Sequence, residues 1–129
     1  MREIILPFVC SILTASPSFG ADLPVPDNVV FDKAIEFTNT DNQHLQVNRA
    51  MPKNGQGPFP AVPCIHGGGF LAGTRVGYDN LCLTLAEHGY VAITFTYRLV
   101  PKYQFPASVL DCKTVVRWLR ANAAKQRAS

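Results

Sequence analysis

The stretch Ala61-Val62-Pro63-Cys64-Ile65-His66-Gly67-Gly68-Gly69-Phe70 decides the fold. Its first five residues are a short apolar run that empties directly into a histidine and three glycines. Such a run is long enough for a buried strand and too short for a helix. Downstream, Tyr78, Leu81, Cys82 and Leu85 recur at helical spacing over residues 78–88, and Gly89 is a natural left-handed stop. Tyr90 to Tyr97 (Tyr-Val-Ala-Ile-Thr-Phe-Thr-Tyr) is rich in β-branched and aromatic residues and reads as a well-buried strand. Strand, glycine turn, helix and strand make a parallel crossover, which is right-handed by rule and implies an α/β sheet. Pro63 is awkward in this reading, because it removes a ladder donor from what should be a central strand.

Working outward, Val29–Phe37 and Gln43–Ala50 read as two strands, the second alternating at Leu45 and Val47. Asn39-Thr40-Asp41-Asn42 between them is turn chemistry, so an antiparallel hairpin precedes the crossover. The loop Met51-Pro52-Lys53-Asn54-Gly55-Gln56-Gly57-Pro58 separates the two units. On the other side, Pro106 suits the first turn of a helix that carries Val109, Cys112, Val116 and Leu119 on one stripe, with Val115 beside it. The expected order is hairpin, then strand, helix, strand, helix.

The glycines also carry the chemistry. When a nucleophile attacks an ester carbonyl, negative charge builds on the oxygen, and backbone N–H groups aimed at it stabilise the transition state. Three glycines let the chain turn tightly and present bare amides with no Cβ in the way. A plain glycine turn or a phosphate nest is the competing reading. The Gly-x-x-x-x-Gly-Lys-Ser/Thr pattern of a phosphate loop is missing, whereas a strand exit at His66 and an aromatic at Phe70 favour the oxyanion reading. His66 lies in the exit turn, where it suits bonding to the loop backbone rather than acting as a general base.

Four blocks now stand in order: His66-Gly67-Gly68-Gly69-Phe70; Gly89-Tyr90-Val91; Tyr97-Arg98-Leu99-Val100-Pro101; and Phe105-Pro106-Ala107, with Asp111 and Trp118-Leu119-Arg120 behind. Together they resemble the hormone-sensitive-lipase-like branch of the α/β-hydrolase esterases, and related bacterial esterases of acylated sugars, from about Val29 to Asn122. The resemblance implies the amino-terminal part of an α/β-hydrolase fold and a small ester as substrate. It implies Gly68 and Gly69 as oxyanion-hole amides, with His66, Gly67 and Phe70 supporting the loop. It further implies that Arg98 and Asp111 form a structural ion pair under the floor of the site; taken alone, the two residues read equally as separate solvated charges. Pro101-Lys102 replaces the family's Pro-Glu and removes a carboxylate there.

The triad order of this fold is Ser, Asp/Glu, His, with the serine in Gly-x-Ser-x-Gly. That motif does not occur in the 129 residues. Ser108 falls inside a helix, Ser129 is the last residue, and His44 and His88 precede where a triad histidine belongs. Each further strand–helix–strand unit takes roughly 30 residues. The expectation is therefore a truncated hydrolase domain over residues 22–129, inactive by itself. A serine peptidase of the oligopeptidase type and a non-catalytic protein of the same fold are the alternatives.

Composition agrees with a globular domain: 47% hydrophobic and 16% charged residues argue against disorder. A net charge of +3 without a dense Lys/Arg patch argues against nucleic-acid binding. Arg2, the apolar run Ile4–Leu13 and the small residues up to Ala21 have the layout of a secretory signal over residues 1–21, too short for a membrane span. A secreted or periplasmic protein is expected. Removing that segment leaves Cys64, Cys82 and Cys112, an odd set without metal-ligand spacing, read as buried free thiols. No metal, nucleotide or flavin motif appears, and no cofactor is implied.

Overall fold

A computed structural model describes residues 23–38 and 43–129. The expected signal segment at 1–21 and the expected turn at 39–42 lie outside the described residues. The strands are β1 (Val29–Thr38), β2 (His44–Pro52), β3 (Ala61–Cys64) and β4 (Val91–Phe95). Helix α1 (Asp79–Glu87) joins β3 to β4, and α2 (Ala107–Ala121) and a short α3 (Ala123–Gln126) follow. The sheet runs β1-β2-β4-β3, with β1–β2 and β2–β4 antiparallel and β3–β4 parallel. This is the expected α/β arrangement of a hairpin followed by a parallel crossover.

β4 organises the core because none of its five residues reaches water. Val91, Ile93 and Phe95 enter one cluster with Phe37, Leu45, Val47 and the α2 residues Val115 and Leu119. Ala92 points the other way, into a cluster with Val29, Ala50, Cys64 and the α1 residues Cys82, Leu83 and Ala86. The period-2 alternation of a strand thus places α1 and α2 on opposite faces of the sheet.

Both helices sit rotated from the expected stripes. On α1 the buried set is Asp79, Cys82, Leu83 and Ala86, while Leu81 is 45% exposed. On α2 it is Asp111, Val115 and Leu119, while Val109 is 39% exposed. In each case a buried aspartate occupies a place on the inward face, which apolar periodicity alone passes over. A 3-10 turn over Arg75–Tyr78 leads into α1 and takes Tyr78, the first residue of the expected helix. The helix ends as expected: Gly89 sits at φ 88°, its N–H reaches Ala86 O, and Tyr90 N–H reaches Leu85 O, a Schellman cap.

Pro63 fits because β3 is an edge strand among the described residues. Val91 N–H bonds Pro60 O on the β4 side, whereas Ala61 N–H turns outward to Ser129 O. Alternation turns the nitrogen of Pro63 outward with that of Ala61, so no β3–β4 bond is lost. Residues 127–129 run beside the start of β3, with a parallel bridge between Phe59 and Ala128. No helix among the described residues is long and apolar enough to cross a membrane.

The rotated α2 stripe makes a clear expectation. Val115→Ala should cost about 2 kcal/mol in urea unfolding, and Val109→Ala no more than about 0.5 kcal/mol. Equal effects would restore the stripe drawn from the sequence.

Candidate functional site

The glycine turn hangs from the carboxyl end of β3 and is held from below by an aromatic clasp. Tyr97, two residues past β4, donates its hydroxyl to His66 O at 2.7 Å. The His66 and Tyr97 rings stack at 4.3 Å with an interplanar angle of 16°. His66 is buried, and its Nδ1 lies 3.0 Å from Gly67 O, which can only accept, so Nδ1 carries the proton of that bond. The imidazole is thereby committed to the backbone of its own loop.

Beyond His66 the chain makes a turn that only glycine allows at two points. Gly68 has φ 127°, and a Cβ there would sit 2.0 Å from Ala72 O. Gly73 has φ 102°, and a Cβ there would meet Gly67 O at 2.3 Å and His66 Nδ1 at 2.5 Å. The loop thus folds back on its own entrance. Gly68 O accepts from Leu71 N and Ala72 N, both at 3.1 Å, while the Gly68 and Gly69 amides donate to no acceptor among the described residues. Next to Gly69, Phe70 adopts a left-handed φ of 64°, a conformation that costs a non-glycine residue of order 1 kcal/mol. Its carbonyl is tied down by Val100 N–H at 3.0 Å. Phe70 and Leu71 leave 58% and 66% of their surfaces exposed, an apolar lip beside the two open amides.

A buried polar network fixes where the loop re-enters the fold. Arg75 donates to Asn48 Oδ1 at 2.9 Å and to Thr96 Oγ1 at 3.0 Å. Thr94 Oγ1 donates to Arg75 O at 3.1 Å, and Asn48 Nδ2 donates to Asp79 Oδ1 at 2.7 Å. The same Asn48 Oδ1 accepts Ala34 N–H at 2.9 Å, in the β1 bulge. Strands β1, β2 and β4 therefore converge on the segment leaving the glycine turn.

Arg98 and Asp111 lie together under the segment that bonds Phe70. The Arg98 side chain donates to both Asp111 oxygens through Nε, at 3.1 and 2.9 Å, and through Nη2 to Oδ1 at 2.9 Å. Arg98 N–H adds a fourth bond at 2.9 Å, and the Asp111 side chain is fully buried. The fork ties the chain leaving β4 to α2.

Sequence reasoning did not single out Gly73, Tyr97, Asn48, Arg75 or Asp79. Gly73 had a signal, a further glycine shortly after the triple run. Tyr97 was visible as the head of the Tyr-Arg-Leu block. Asn48, Arg75 and Asp79 had none, since each is explained only by partners far away in the chain.

A glycine turn at the carboxyl end of a parallel strand, beneath helices on both sheet faces, defines part of an α/β-hydrolase fold of the hormone-sensitive-lipase-like esterase type. Residues 47–128 match the BD-FAE family model, and the chain belongs to that family. It is 39% identical over 88 residues to ethyl acetate hydrolase of Pseudomonas putida, covering 66% of this chain and 28% of that protein. A bacterial heroin esterase structure superposes with a TM-score of 0.76 and 32% identity, over 84% of this chain and 34% of that one. Brefeldin A esterase, a bacterial homologue of human hormone-sensitive lipase, shares the fold with a TM-score of 0.71 at 24% identity, over 86% of this chain and 32% of that one. The chain thus spans about a third of the length of these solved structures.

Removing one partner of the fork leaves a buried charge unpaired. Asp111→Ala is expected to destabilise the fold by about 3–5 kcal/mol in denaturant unfolding, and a loss below 1 kcal/mol would show that the pair is not held as described.

Proposed function

We propose that this chain supplies the oxyanion-binding loop of a carboxylic ester hydrolase, with the amides of Gly68 and Gly69 as the two donors. The observation that carries the reading is the pair of unengaged amides in a turn braced on every other side. Preorganised donors need no reorientation as charge develops on the carbonyl oxygen, and each is worth roughly 3–4 kcal/mol of barrier. The apolar lip of Phe70 and Leu71 suits the acyl or alkyl part of a small ester. The nucleophile this reading calls for is a serine activated by a histidine, and the Gly-x-Ser-x-Gly motif that carries it in this fold does not occur among these 129 residues. The esterase names of the relatives support the same reading. Acylated sugars are the finer substrate proposal and rest on the sequence resemblance.

The two glycines separate structure from chemistry. A Cβ on Gly69 meets nothing within 4 Å and projects into open space, whereas one on Gly68 collides with Ala72 O. The test places residues 47–128 in the corresponding segment of the Pseudomonas putida relative and assays short-chain nitrophenyl esters and an acetylated sugar. Gly69→Ala keeps its N–H but sets a methyl beside it on a backbone at φ 61°. It should cost about 1 kcal/mol of stability and lower kcat/KM about tenfold or more by displacing the bound carbonyl, whereas Gly68→Ala should disrupt the turn and lower both further. Full activity in a folded Gly69→Ala chimera would remove the oxyanion assignment. The 129-residue chain alone should show only background hydrolysis.

Export is proposed on the layout of residues 1–21. Intact-mass analysis of the protein recovered from cells should find a mature chain starting near Ala21 or Asp22; a retained Met1 would overturn it.

A further inference from the structure

On the face of the sheet covered by α1, two thiols converge. Cys64 is the last residue of β3, and Cys82 lies one turn into α1. Both belong to the same buried cluster, with Val29, Ala50, Leu83, Ala86 and Ala92 around them, at 6% and 0% exposure. Their side chains interact within that cluster, Cys64 Sγ also reaching Val62 O at 3.9 Å, and both thiols are free. Cys112 stands apart, half-buried on α2 against the cluster of the opposite face.

We propose that Cys64 and Cys82 are an oxidisable pair that closes to a disulfide, fastening β3 to α1 across the glycine turn. The two residues are eighteen positions apart, and the chain between them contains the whole turn from His66 to Gly73. The closed bond therefore turns that segment into a covalent ring whose two ends are already fixed in the core.

The microenvironment divides the roles. The hydrogen bond from Cys82 holds the Cys64 thiol below the ordinary thiol range, against the opposing effect of burial. That hydrogen bond, then burial, then the charges of Cys64 and Asp79 push the Cys82 thiol up. Cys64, at 6% exposure and at the end of β3 next to the glycine turn, is the sulfur a peroxide reaches first and so the attacking one; Cys82, at 0%, is the resolving one. The oxidant is a peroxide, small enough to reach a nearly covered sulfur. The Cys64 thiolate attacks one peroxide oxygen, the O–O bond breaks, and sulfenic acid and hydroxide form. Cys82 then attacks the Cys64 sulfur, giving up its proton as the sulfenic oxygen departs as water. Two thiols and one hydrogen peroxide yield one disulfide and two waters.

The full chain is incubated natively with hydrogen peroxide, quenched with iodoacetamide and mapped without reduction; a parallel sample is oxidised in denaturing urea. In urea, loop length alone keeps the possible pairs within a few-fold of one another. Natively, the peptide linking Cys64 to Cys82, lighter by two hydrogens than the reduced pair, is expected in about tenfold or greater excess over that distribution. The excess persists in Cys112→Ser, and oxidation raises Tm by about 5 °C. A native distribution matching the urea one overturns the proposal, as does recovery of both alkylated thiols while Cys112 is oxidised.

Discussion

Everything in this chain is arranged around a strand that has no side facing water. β4 is flanked by β2 on one edge and β3 on the other, and its two faces carry Val91, Ile93 and Phe95 against α2 and Ala92 against α1. Burying each large residue contributes about 1.5–3 kcal/mol, and only a layered α/β arrangement can cover both faces at once. Thr94 is the polar exception, and its hydroxyl is satisfied by the carbonyl of Arg75, the residue that brings the glycine segment back into the fold. The least solvated strand and the most exposed loop are thereby one hydrogen bond apart.

The scaffold was legible where apolar spacing and turn chemistry act locally. The hairpin, the parallel crossover and the Gly89 stop could be drawn from residues that are neighbours in sequence. The α1 face was drawn one position off, because Asp79 looks like a solvent residue until Asn48 is known to meet it. On α2 the family resemblance paired Asp111 with Arg98, but apolar spacing alone left Asp111 off the inward face. Pro63 looked misplaced because a strand's neighbours, and hence the direction that matters for its missing donor, are not written in its own residues. The glycine turn was visible as composition. Its closure by Gly73 and Tyr97 was not, since close approach and ring stacking belong to the folded chain.

The site region combines strain with bracing. Gly68, Gly69, Phe70 and Gly73 all hold positive φ, a run that no isolated peptide would keep. It persists because His66 is clamped by Tyr97, Phe70 by Val100, and the exit segment by Arg75. An open amide needs such enclosure to stay open, for a relaxed turn would fold its donors onto nearby carbonyls.

The back-to-back contact of Gly73 with His66 and Gly67 has a consequence for how such proteins can be recombined. The residues from His66 to Gly73 behave as one heritable unit whose halves are shaped to each other, and Tyr97 travels with them as a distant member. A gene-shuffling breakpoint inside that unit would join a loop entrance to a foreign exit and jam the backbone, while one at residues 53–58 would leave the unit whole and disturb the bonds of that loop to Asn28 and Arg127.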